Sequence, residues 1–157
     1  MIMGFLGNGT PSGGVVKADG PLYRALATGD IPSAWLLIRP LLEPGQTDRL
    51  TTSTVFNCAL FLFLVAEYER ALGLLKRAEQ SLGSPAGLDS AERKLFIQAL
   101  FVSDVALLPL DPDGGTGMER YTFIRVRWLT ALCLLRLDRR QEAAPILRFL
   151  EQYNIKL

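Results

Sequence analysis

Residues 55–79 read Val-Phe-Asn-Cys-Ala-Leu-Phe-Leu-Phe-Leu-Val-Ala-Glu-Tyr-Glu-Arg-Ala-Leu-Gly-Leu-Leu-Lys-Arg-Ala-Glu, and they change character half-way along. From about Thr52 to Val65 the chain is apolar on nearly every side of a helix, with Val55, Phe56 and Leu60 to Leu64 leaving no polar stripe. A helix of that kind is buried on several sides. Its apolar run, Cys58 to Ala66, is about half of the roughly 20 residues that a bilayer crossing needs. The expectation is therefore a core helix and no membrane span. From Glu67 on, Tyr68, Ala71, Leu72, Leu75 and Ala78 follow the 3, 4, 7 spacing of one helical face, and charged residues fill the other. An amphipathic arm against a fully apolar arm is a helical hairpin that needs neighbours on both sides.

The unit recurs. Ala34 in the segment Gly29–Ala34 stands 37 positions before Ala71, and Ala143 in Asp138–Ala143 stands 72 positions after it, two periods of 36. Ala131, Leu134, Leu147 and Leu150 fall on the repeat positions of the last unit. The expected fold is all-α, with about six to seven helices in one domain over 17–157 and a mobile Gly-rich leader over 1–16.

Ala59, Leu62, Ala66-Glu67-Tyr68, Ala71, Leu75 and Ala78 resemble a tetratricopeptide repeat in their spacing. In that family a small residue in the first helix admits the second, an aromatic follows the turn, and two alanines seven apart line the second helix. The resemblance implies antiparallel hairpins stacked as a right-handed array; another hairpin array or an irregular bundle is the alternative. It also implies a concave groove that takes a peptide or a partner protein. Contact residues are expected on first helices, namely Asn57, Phe61, Arg120 and Arg127. Asn57 stands where some family members clamp a peptide's terminal carboxylate, but Leu129 occupies a partner position of that clamp, so Asn57 is expected as a lone polar groove residue.

Composition narrows the function. The 157 residues are 49% hydrophobic and 21% charged, with net charge +1, so neither nucleic acid nor an acidic membrane surface is advertised. There is no His, which removes the commonest general base and metal ligand, and no cofactor or small-molecule substrate is expected. Cys58 and Cys133 lie in apolar helical stretches and are expected as buried thiols. Glu67 with Glu69, and Asp111 with Asp113, do not form a confined acid–base pair, so no enzyme is expected. Without an export signal the expected compartment is the cytoplasm.

Further elements follow from local signals. A short helix is expected over Pro21–Ala27, then one from Ile31 to about Leu42 that Pro40 kinks or ends. Asp89 or Ser90 can cap a helix from about Ala91 to Leu107. Leu110–Gly117 is loop-like and stands where a hairpin turn belongs, so the third unit is expected to be distorted or enlarged. The last pair is expected over Glu119–Leu137 and Arg139–Tyr153, with Pro145 forcing a late start or a kink. Residues 118–157 carry +4 and the first 117 carry −3, which suits either an acidic peptide or a solvated helical face. Besides a peptide-binding scaffold, two alternatives stand: a self-associating structural protein, such as a homodimer, and a small chaperone-like repeat protein.

Overall fold

The structure, a computed structural model, describes residues 11–100, 105–114 and 118–157, with side chains from Ala18 onward. The described residues form seven α-helices and no strand: α1 (Pro11–Ala27), α2 (Ile31–Ile38), α3 (Thr52–Leu64), α4 (Tyr68–Leu82), α5 (Ser90–Leu100), α6 (Glu119–Arg136) and α7 (Arg140–Glu151). Short 3-10 turns cover Arg39–Leu42, Thr47–Arg49 and Val105–Leu107. Of the expected leader, residues 1–10 lie outside the described residues, and α1 begins at Pro11, ahead of the expected Pro21. Burial of Leu22, Ala25 and Leu26 fixes its second half.

Three turns of the same backbone design join α1 to α2, α3 to α4 and α6 to α7. Gly29, Ala66 and Asp138 each take a left-handed conformation, with φ of 75°, 66° and 56°. The next residue then donates its N–H five residues back: Asp30 to Ala25, Glu67 to Leu62 and Arg139 to Leu134, at 2.8, 2.7 and 2.8 Å. These bonds satisfy carbonyls that a helix end leaves without donors. Five residues beyond each left-handed residue stands the alanine of the sequence repeat, and Ala34, Ala71 and Ala143 are all 0% exposed. A larger side chain there would push the second helix off the first. The 37- and 72-residue spacings are thus spacings of one turn-and-alanine unit.

The hairpins pack in sequence. α3 contacts α1 and α2, and α6 contacts α3 and α4, so each new first helix sits against both helices of the hairpin before it. The two largest interhelical seams are α3 with α4 and α4 with α6. They enclose the core that the apolar run predicts: Phe56, Cys58, Ala59 and Leu60 on α3 are 0% exposed, as is Leu75 on α4. Among the described residues no helix is long and apolar enough to cross a membrane.

Two prolines act differently from one another. Pro40 ends α2 at Ile38 and tightens the chain into the 3-10 turn Arg39–Leu42. Pro145 neither delays nor splits α7, which already runs from Arg140. It lies on the exposed side, where Gln141, whose carbonyl it leaves without a donor, is exposed too.

Two sequence periods separate the second and third hairpins, and among the described residues between them there is a single α-helix, α5. α5 stands alone and buries none of its residues completely; Leu95 is 66% exposed. Its start is a reciprocal cap, in which Glu92 N–H donates to the Asp89 carboxylate at 2.8 Å and Asp89 N–H donates to Glu92 at 3.1 Å. Phe96 anchors it between Tyr121 and Tyr153, with ring centroids 6.1 and 5.7 Å away. Of the helix expected to Leu107, α5 is described to Leu100, residues 101–104 lie outside the described residues, and Val105–Leu107 is a 3-10 turn.

Candidate functional site

Past that turn the chain Leu108-Pro109-Leu110-Asp111 has no regular secondary structure and forms a strap bonded to both α3 and α6. The sequence favours this. A residue before proline is held out of the helical region, which applies to Leu108 before Pro109 and to Asp111 before Pro112. A turn then closes the strap, with Gly114 N–H donating to the Asp111 carbonyl at 3.1 Å and Asp113 N–H donating to the Asp111 carboxylate at 2.9 Å.

Two side chains hold the strap by its backbone. The Asn57 amide nitrogen donates to the Leu110 carbonyl at 2.9 Å, and the Leu110 N–H donates to Asn57 Oδ1 at 2.8 Å. A carboxamide offers the donor and acceptor of a peptide unit, so Asn57 pairs with Leu110 as a neighbouring strand would. Two residues earlier, Arg125 Nη2 donates to the Leu108 carbonyl. Residues i and i+2 of an extended chain present their backbone groups to the same side, which matches this pairing. Pro109 falls between them, where its missing N–H costs no bond to the helices.

Arg125 is unusual. It is 8% exposed, its guanidinium carbon lies 5.3 Å from the Phe56 ring centroid, and its Nε has no hydrogen-bond partner. Burial pushes its pKa down to about 10, so it remains a cation at neutral pH. None of the ion pairs among the described residues involves it. Beyond the strap, the seam opens into a hollow of about 220 Å3 with Thr51 and Ser53 on one side and Glu119 and Thr122 on the other.

The four residues expected as contacts fall in three places. Asn57 is 1% exposed and its amide is taken up by Leu110. Phe61 is 3% exposed and stacks on Trp35 of α2, with centroids 5.9 Å apart. Arg120 grips Glu92 of α5 through two nitrogens, one bond measuring 2.7 Å. Arg127 pairs with Glu79 of α4 at 3.4 Å and lies 5.2 Å from the Phe149 ring centroid. Only Asn57 therefore meets the strap. The arginine that joins it is Arg125, whose signal was its place in the apolar stripe of α6, four residues before buried Leu129.

The basic C-terminal part is answered within the chain. Arg120, Arg127 and Arg139 reach Glu92, Glu79 and Glu69 on earlier elements, so much of the charge imbalance is cross-element pairing. The arginines also stack on aromatic rings: Arg127 on Phe123 and Phe149, and Arg136 on Phe63. Cys58 and Cys133 are buried, and burial pushes both thiols up to about 12, with the Asp19 charge adding to the effect at Cys58. Compared with family models, curated proteins and solved structures, the chain matches none.

Proposed function

We propose that this chain is a non-catalytic protein–protein interaction module, a tetratricopeptide-like right-handed array of hairpins that receives an extended peptide along the α3–α6 seam. The observation that carries the reading is that Asn57 and Arg125 hold main-chain atoms of a segment without regular secondary structure at positions i+2 and i. Bonds to main chain supply affinity that does not depend on sequence, and neighbouring side-chain pockets supply choice. Arg120 and Arg127 then serve to tie α6 to Glu92 and Glu79. A phage-displayed peptide library panned against the chain tests this. Enriched peptides should bind about 10-fold more weakly to Asn57→Ala or Arg125→Met, the loss expected for one or two hydrogen bonds. Peptides indifferent to both substitutions would contradict it.

A second reading rests on a different observation. Trp35, Leu36, Leu64 and Val65, on α2 and the end of α3, are 39%, 65%, 43% and 41% exposed. Apolar surface of this kind suits a second copy of the chain. Sedimentation should then show a dimer that Leu36→Glu splits, and a monomer at all concentrations would remove the reading.

A further inference from the structure

We infer that the strap and the 3-10 turn before it, residues 105–112, form an internal pseudo-ligand: the segment occupies the α3–α6 seam and must leave before an extended, acidic peptide can bind there. The inference rests on the peptide-binding reading above and adds to it a competitor and a ligand class.

The strap is held differently from the helices. Ala106 is buried, Leu107 and Leu110 pack half-buried against the core, and Leu108 is 43% exposed. Its polar hold is the Asn57 pair and the Arg125 bond, all made to atoms that any peptide possesses. The helix before it, α5, has no fully buried residue and is held at Phe96 and by the Glu92–Arg120 pair. A segment bonded through generic backbone groups and packed by two half-buried leucines is one that another extended chain with apolar residues at those places can replace. If the seam is open about 1% of the time, a competitor binds about 100-fold more weakly than its intrinsic affinity allows.

Arg125 names the class of competitor. A buried guanidinium has five donors, and here one meets the Leu108 carbonyl while Nε meets nothing. A carboxylate accepts two parallel bonds from that fork and neutralises the buried charge, which a carbonyl does not. An incoming peptide with Asp or Glu at or beside the Leu108 position therefore satisfies the seam better than the chain's own leucine.

The test uses the full chain and the synthetic peptide acetyl-Val-Ala-Leu-Leu-Pro-Leu-Asp-Pro-amide, which copies residues 105–112. Leu110→Pro removes the N–H that Asn57 accepts while leaving the α3 and α6 side chains intact. By calorimetry the peptide should bind Leu110→Pro at least about 10-fold more tightly than wild type, and binding should vanish in the Asn57→Ala/Leu110→Pro double variant. A peptide carrying L108E should bind more tightly again, by about 10-fold; equal or weaker binding would overturn the carboxylate preference. Equal binding to wild type and Leu110→Pro would overturn the competition and leave the groove reading standing, whereas no binding to either would remove both. Should Leu110→Pro fail to fold, hydrogen exchange on wild type decides. The Leu110 amide should exchange by local opening and faster with excess L108E peptide. Exchange only on global unfolding, or a rate unmoved by bound peptide, would overturn the inference.

Discussion

The hairpins and the strap are two solutions to holding a chain in place. α3 and α4 meet through residues such as Phe56, Ala59, Leu75 and Ala71, each 0% exposed, and the turn between them closes its own hydrogen bonds. The strap closes few bonds of its own over Leu108–Leu110 and borrows them from Asn57 and Arg125. Apolar burial commits a segment to one arrangement, because no external chain reproduces the fitted surface. Backbone bonds from side chains do not, because every peptide offers the same groups. The same molecule thus contains a committed framework and a replaceable insert.

The sharpest way to break this contrast is to damage each part and ask how far the damage spreads. Leu75→Ala removes a fully buried side chain from the α4 face and should cost about 3 kcal/mol. All helical signal should then melt about 6–12 °C earlier in one transition, as followed by circular dichroism. Asn57→Ala should cost less, about 2 kcal/mol, and should act locally. Thermolysin ought to cut at Leu107, Leu108 or Leu110 in the folded variant while the helical midpoint shifts less than for Leu75→Ala. A midpoint loss as large as that of Leu75→Ala, without strap cleavage, would place the strap in the framework.

Turn residues sharpen the framework side. Gly29→Ala puts a side chain where φ is 75° and should destabilise by about 1 kcal/mol, whereas Ala66→Gly relieves φ of 66° and should stabilise by a similar amount. Denaturant midpoints of the two variants should therefore move in opposite directions. Both moving the same way would mean that the turns do not share one design. The smallest effect is expected at the thiols. Because burial pushes Cys58 and Cys133 up to about 12, almost no thiolate exists at pH 8. A disulfide reagent should titrate neither in the native chain and both in guanidinium.

Most of the framework was legible in the sequence, because periodicity and small residues report packing directly. The spacing of Ala34, Ala71 and Ala143 located three hairpins, and Pro40 marked the end of α2. The turn at Ala66 was harder to see, since a left-handed residue without Gly carries no local signature and is fixed by the 2.7 Å bond from Glu67 to Leu62. α5 was expected to run to Leu107, where the apolar pattern continues, whereas Val105–Leu107 forms a 3-10 turn. The site was only half legible. Asn57 was singled out as a polar residue on a buried helix. Arg125 was not singled out and entered only through the net charge of residues 118–157, although its place four residues before Leu129 was a signal for it. Its burial depends on Phe56 and Leu108, which are distant in the chain.

The account stands or falls on Asn57 acting as a surrogate strand for Leu110. Nuclear Overhauser spectra of the labelled full-length chain test it directly. The account predicts a cross-peak between the Asn57 side-chain amide protons and the Leu110 amide proton, with both slow to exchange with water. An Asn57 side chain that exchanges freely with solvent and shows no cross-peak to Leu110 would contradict it.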